Sequence, residues 1–313
     1  MLMDNADKIL VTGGAGFIGS HLVKELLNRN YQVVVFDNLS TGRMENLAEV
    51  IDHSEFTFIR GDICDKESLK LAMQKTSSVI HLAALIDVSA SVKDPFQTHL
   101  INVTGTLNTL QEAAKAKVEK FIFASSTAIY GDVKTLPITE ETPSKPISPY
   151  AASKSAAESY LTAYNFCYNL ETVALRFFNV YGPKNENSPY SGVITTFIKQ
   201  VSQNQPLTIE GDGEQTRDFI HVKDVARALS VALEIPKIGG EAFNICTGSP
   251  TSINLLAKTI TEIAGQPLKT HQVQPRTGDI RYSYGDPKKA EERLHFKAKL
   301  SLKDGLTTLW ETK

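Results

Sequence analysis

A tyrosine and a lysine four residues apart can do acid–base chemistry when a helix stacks them. The phenol exchanges a proton, and the ammonium one turn away favours the phenolate. The spacing occurs three times, as Tyr130/Lys134, Tyr150/Lys154 and Tyr284/Lys288. The outer pairs read "YGDVK" and "YGDPK", whose Gly, Asp and Pro favour turns, so their side chains need not share a face. The middle pair lies in "SPYAASKSAAE", where Ser148 suits an N-cap, Pro149 the first helical position, and alanines follow. This predicts a helix with Tyr150 and Lys154 on one face. Such a pair is more often ordinary solvated helix surface than catalytic apparatus, so chemistry requires further groups to converge on it.

The elements that would position the pair alternate at the pace of βαβ units. Strands are expected at 8–13, 32–37, 56–62, 78–84, 120–126 and 172–179, with helical patterns between them such as "GTLNTLQEAAKAK" over 105–117. Nearly continuous apolar runs indicate strands covered on both faces. The expected class is α/β, a Rossmann-type doubly wound parallel sheet with a smaller C-terminal α/β substrate domain. Beyond about residue 180 the pattern loosens into Gly- and Pro-punctuated loops, with one more strand-like run at 241–246. The division expected is 1–178, with 214–248 returning to it, against 179–213 and 249–313.

Between the first strand and its helix stands "TGGAGFIGS", in which Gly13, Gly16 and Gly19 form a phosphate cradle. Glycine permits the tight turn and close backbone approach, and the helix N-terminus offers N–H donors to a pyrophosphate. The second strand ends in Asp37, where a carboxylate can accept hydrogen bonds from an adenosine ribose and repel a 2'-phosphate, so NAD rather than NADP is expected. A turn-starting Asp is the plainer alternative. Asp62 ends the third strand, where adenine would lie. His81, inside an apolar strand, reads as a core histidine with its hydrogen bonds satisfied. The fifth strand ends in "ASSTAIYG", and open α/β sheets bind ligands beyond the carboxyl ends of their strands, so Ser125, Ser126 and Thr127 are well placed.

The 313 residues, 42% hydrophobic, support a large core, and a net charge of -2 without basic tracts argues against nucleic acid as a partner. No apolar run approaches membrane-spanning length. Cys64, Cys167 and Cys246 are scattered, which suggests neither disulfides nor a metal cluster. The polar start "MLMDNADK" leads straight into the first strand, so no leader and a cytoplasmic location are expected.

Taken together, "VTGGAGFIGSHLV", "DNLSTG", "HLAA", "SSTAIYG", "PYAASKSAAE", "RFFNVYGP" and "RDFIHVKDVARA" resemble the extended short-chain dehydrogenases/reductases, within them the NAD-dependent epimerase/dehydratase family, and most closely UDP-sugar 4-epimerases. The resemblance spans nearly the whole chain. It implies Ser126 as the catalytic hydroxyl, Tyr150 as acid/base and Lys154 as its partner. It adds Phe17, Ile18, Asn38, Ser40, Thr41, Gly42, Ile63, Leu82, Ala83, Ala84, Asn102 and Phe178 as cofactor contacts. Asn179, Val193, Arg217, Arg276 and Asp279 then belong to the nucleotide-sugar site, with Ser283 beside the sugar C2 substituent, where serine leaves room for an N-acetyl group. His221 and Asp224 are expected to shape the fold. Ile86 departs from many glucose-type epimerases, which carry a lysine there. The family also implies a homodimer through helices near 95–117 and 150–169. Three other readings use the same scaffold. A 4,6-dehydratase would carry an Asp and a Glu where Thr127 and Ala128 stand; a nucleotide-glucuronate decarboxylase could use Arg281; a cofactor-sensing regulator would not need Ser126, Tyr150 and Lys154 together.

Overall fold

The computed structural model describes residues 7–185, 192–267, 269–275 and 280–312. In the first half, strands and helices alternate as β1 (Lys8–Thr12), α1 (Phe17–Asn28), β2 (Gln32–Asp37), β3 (Phe56–Arg60), α2 (Lys66–Ala72) and β4 (Ser78–His81). There follow α3 (Val88–Lys93), α4 (Pro95–His99), a π-helical stretch Leu100–Gly105 running into α5 (Thr106–Lys115), β5 (Lys120–Ser126), α6 (Pro149–Tyr168) and β6 (Glu171–Phe177). The second half holds β7 (Asn179–Tyr181), α7 (Val193–Ser202), β8 (Leu207–Glu210), β9 (Thr216–His221), α8 (Val222–Glu234) and β10 (Ala242–Ile245). It ends with β11 (Pro250–Ser252), α9 (Ile253–Ile263), β12 (Thr270–Val273), β13 (Tyr282–Ser283), α10 (Lys288–Arg293) and α11 (Leu302–Glu311).

Seven strands form one parallel sheet in the order β10-β6-β5-β4-β1-β2-β3. The sheet is covered on both faces, which is why its strands read as unbroken apolar runs. Leu22, Leu26, Val225 and Leu229 from α1 and α8 cover one face. On the other, Leu69, Leu110, Ala157 and Leu161 from α2, α5 and α6 do so. Burying each such side chain contributes roughly 1.5–3 kcal/mol. The run at 241–246 becomes β10 at the edge of this large sheet.

The order of the strands creates the site. From β1 the chain moves outward to β2 and β3, then returns to place β4 on the other side of β1, and this reversal opens a crevice at the carboxyl ends of β1 and β4. The expected sixth strand over 172–179 divides: β6 stops at Phe177 in the large sheet, and β7 departs from Asn179 to pair with β9 in a smaller sheet. Phe178 stands between them, its N–H on Ile245 O at 3.2 Å. The smaller sheet adds β11 and β13 to β9, while β8 and β12 pair separately. A separate core of Phe197, Leu256 and Leu306 joins α7, α9 and α11.

Candidate active site

The crevice deepens into a cavity of about 900 Å³, whose lining runs in chain order from Gly13 to Ser283. Its floor is the glycine turn. Gly13 has φ 70°, a region that favours glycine, and a Cβ there would meet the Ala83 N at 2.7 Å, because the turns after β1 and β4 touch. A Cβ on Gly19 would lie 2.3 Å from the Gly13 carbonyl oxygen, so α1 can approach the turn only as it is. Gly16 caps α1 without a side chain, leaving the first turn of the helix, with Phe17 and Ile18, at the cavity wall. A bare backbone floor under a helix N-terminus is the chemistry a pyrophosphate requires.

Two carboxylates stand beside the floor. Asp37 accepts from Ala15 N–H at 3.0 Å and Leu39 N–H at 2.8 Å. Burial pushes its carboxyl up, and those two N–H groups oppose the rise. Burial acts on Asp62 too, but the Cys64 N–H and the Asn38 amide, at 2.8 Å each, outweigh it and hold this carboxyl below its ordinary value. Asn38, Ser40, Thr41, Gly42, Ile63, Leu82, Ala83 and Ala84 line the same end. Asn102 does not. Its side-chain amide is spent on the Leu85 backbone, donating to O at 2.8 Å and accepting from N–H at 2.7 Å, and it also donates to Ser153 Oγ at 3.0 Å. It therefore supports the loop that forms the wall, and does not itself line the cavity.

At the other end, α6 begins as its sequence prescribes, with Ser148 Oγ accepting from Ala151 N–H at 3.1 Å and Pro149 in the first position. Tyr150 and Lys154 share the face turned to the cavity and are 8% and 3% exposed, which rules out an ordinary solvated pair. Burial pushes the Tyr150 phenol up, opposed by a hydrogen bond with the Ser126 side chain. Burial brings the Lys154 ammonium down to about 7, against the field of Glu158. Lys154 Nζ donates to Ala124 O at 2.8 Å and sits 4.6 Å from the centre of the Phe123 ring. Ser126, Thr127 and Ala128 follow in a tight turn, with Ser126 Oγ accepting from Ala128 N–H at 3.2 Å.

The other tyrosine–lysine pairs do not assemble. Tyr130 is buried with its hydroxyl on Asn244 Oδ1 at 2.7 Å, and Gly131 turns the chain at φ 68° before Lys134; Tyr284 lies outside any helix. His81 is a core histidine, bonded to Thr12 Oγ1 at 2.7 Å and Thr106 Oγ1 at 3.0 Å, and burial pulls it down to about 3. His221 caps α8, and Asp224 accepts from the Lys299 and Leu300 N–H groups, so both serve the fold.

Phe178, Asn179, Arg217 and Ser283 line the remaining wall. Ser283 is opposite Arg217 in the β13–β9 register and is 6% exposed. Next to it Gly285 admits Phe178, whose ring would be 2.6 Å from a Cβ at that position. Val193 packs into the α7 core instead, and it is Gly192 that lines the cavity. Arg276 and Asp279 lie outside the described residues. Arg281 points to Asp212, with bonds of 2.6 and 2.8 Å, and not to the cavity. Sequence reasoning passed over Lys184, Asn185 and Ile147, on loops, and Asn46, on a single helical turn Met44–Leu47, which line the cavity without a periodic signal. It also passed over Glu158, whose spacing from Lys154 reads as a surface ion pair but whose partner is Arg176 on β6.

A doubly wound parallel sheet with a glycine turn at its switch point is a dinucleotide-binding architecture. The chain belongs to the NAD dependent epimerase/dehydratase family, whose model matches residues 9–246. It is similar to the UDP-glucose 4-epimerase of Thermotoga maritima, solved with UDP-glucose, at 40% identity and a TM-score of 0.91 over 97% of both chains. It also resembles the UDP-N-acetylglucosamine 4-epimerase of Methanobrevibacter ruminantium, solved with UDP-N-acetylmuramic acid, at 35% identity and a TM-score of 0.92 over 99% of this chain and 100% of that one. A human dTDP-D-glucose 4,6-dehydratase is 34% identical over 316 residues, 96% of this chain and 88% of its own.

Proposed function

We propose that the protein is an NAD-dependent UDP-sugar 4-epimerase that accepts the N-acetylated sugars as well as the glucose/galactose pair. The observation that carries this reading is the single cavity joining the glycine floor and Asp37 to Ser126 and the buried pair Tyr150 and Lys154. The cradle glycines, with Asp37 and Asp62, would hold the dinucleotide. Bound NAD supplies the oxidation and re-reduction of the sugar C4 carbon. Tyr150 takes the proton from the C4 hydroxyl and returns it to the oxygen of the 4-keto sugar once that sugar presents its other face. Because burial disfavours the phenolate, the base needs positive charge beside it, and Lys154 and the N-terminus of α6 contribute it. Ser126 holds the sugar oxygen. Asn179 and Arg217 would grip the diphosphate, Arg217 through its planar fork. Ser283, small and hydroxylated, leaves space for an acetamido group.

The likeness to a dehydratase makes water elimination the second reading. Against it, the carboxylates lining the cavity among the described residues are Asp37 and Asp62, both at the floor end, and Thr127 and Ala128 offer no acid after Ser126. Incubation of purified protein with UDP-glucose, UDP-N-acetylglucosamine and UDP-glucuronate, with products resolved chromatographically, separates the readings. Epimers are expected from the first two, whereas a 4-keto-6-deoxy sugar or carbon dioxide would overturn the assignment.

The partner best suited to the outer face of α3, α4 and α6 is a second copy of the chain. Val88, Val92, Phe96 and Leu100, four residues apart, expose 47%, 63%, 86% and 44%, and Phe166 on α6 exposes 90%. Phe96→Glu is expected to halve the mass measured by light scattering.

A further inference from the structure

Glu158 lies one turn beyond Lys154 and two beyond Tyr150 on the same helix, yet it turns away from solvent to meet Arg176. The contact is a fork: Arg176 Nε donates to Glu158 Oε1 at 3.0 Å and Nη2 to Oε2 at 2.7 Å, and both side chains are nearly buried. The same carboxylate accepts from Ser125 Oγ. Ser125 and Arg176 face each other in the β5–β6 register, one step before Ser126 and Phe177, so Glu158 docks on the two strand ends from which the reacting hydroxyl emerges. Arg176 Nη1 in turn donates to Tyr130 Oη at 2.8 Å and to Glu140 O at 3.3 Å, and Tyr130 donates to Asn244 on β10. The charged and titratable groups around the carboxylate are thus Arg176 from β6, Tyr130 and Glu140 behind it, and Lys154 on its own helix.

We propose that Glu158 is a positioning residue for the reaction: anchored by Arg176 and Ser125, it sets the rotation of α6 so that Tyr150 and Lys154 meet Ser126, and it serves as the counter-charge of Lys154. A buried ion pair contributes little net stability over an apolar substitute, so its worth lies in the geometry and the field it imposes. The inference rests on the epimerase reading for its kinetic consequences, but not for the protonation of Lys154.

The test uses Glu158→Gln, which keeps an oxygen for Ser125 and removes the charge. Turnover is expected to fall about tenfold or more with KM within about threefold, an interaction needed chiefly beyond substrate binding. Removing the anion, and leaving Arg176 unpaired, destabilises the Lys154 ammonium, so Lys154 loses its proton at lower pH. Titration of 13Cε-labelled lysine, assigned with Lys154→Met, is expected to show the Lys154 midpoint lower by at least about half a unit in Glu158→Gln. That measurement needs no substrate. If wild type epimerises nothing but the midpoint moves, the functional reading fails and the counter-charge stands. An unmoved midpoint overturns the counter-charge role. A second variant, Glu158→Gln with Arg176→Met, removes the unpaired cation and is expected to recover thermal stability while turnover stays low. Recovery of turnover together with stability would mean that the pair only holds the fold, and would overturn the positioning role.

Discussion

At the glycine end of the cavity, each carboxylate is held partly by its own turn and partly from the preceding strand and turn: Asp37 by Leu39 and Ala15, two and 22 residues away, and Asp62 by Cys64 and Asn38, two and 24 away. At the reacting end the distances are of another kind. Lys154 reaches Ala124 across 30 residues, Arg176 reaches Tyr130 across 46, and Tyr130 reaches Asn244 across 114. The first end is built mainly from backbone N–H groups, with the Asn38 amide beside them, and such groups only need the right turn. The second is built from buried side chains, which cost desolvation and hold their charge only if several strands and a helix arrive together. One end can bind a group of fixed chemistry; the other can shift protonation.

The comparison breaks most visibly at Tyr150. Tyr150→Phe is expected to lower kcat by about a hundredfold or more while leaving nucleotide-sugar affinity within several-fold, the range for loss of general acid–base work. Steady-state kinetics beside a calorimetric titration with UDP-sugar checks it, and near-normal turnover would return the helix to ordinary surface. At the opposite end, Asp37→Asn keeps acceptors but removes the charge that opposes a 2'-phosphate. The ratio of NADP to NAD dissociation constants is expected to fall about tenfold, since hydrogen bonds to charged groups contribute roughly 1.5–3 kcal/mol. Fluorescence titration of both cofactors measures it, and an unchanged ratio would sever Asp37 from the ribose.

Ser283→Tyr sharpens the contrast within the sugar pocket. Filling the space next to the C2 substituent is expected to lower kcat/KM for the N-acetylated substrate at least about tenfold more than for UDP-glucose. Equal effects on the two substrates would place Ser283 away from C2. The smallest effect concerns stability. Lys154 titrates near about 7 when folded against 10.5 when unexposed to the fold, so between those values the unfolded chain binds more protons and stability rises with pH. Below pH 7 the native protein carries the full cost of a buried charge. Lys154→Met, which loses the Ala124 hydrogen bond at every pH, is therefore expected to gain on wild type by roughly 1–3 kcal/mol more at pH 6 than at pH 9. Urea unfolding at the two values checks it, and a pH-independent difference would show that the buried Lys154 keeps its proton throughout this range, as it does in the unfolded chain.

What the sequence determined by itself were the features that depend on neighbours: the apolar runs of the sheet, the glycine turn with Asp37 after it, and the start of α6 at Ser148 and Pro149. Each is a local rule of turn, cap or period, readable without knowing what lies across the fold. The same rules singled out Tyr150 and Lys154 among three pairs of equal spacing, because only that pair stands on a helix. The tertiary structure alone decided that this face of α6 is buried, that Glu158 forks onto Arg176 on β6, and that Asn102 supports the wall it was expected to line. It also decided that the chain leaves the large sheet between Phe177 and Asn179 for a second sheet, a division absent from the apolar run itself. These outcomes turn on which surfaces meet when separated elements pack. A periodicity of two or four residues carries no record of a partner a hundred residues away.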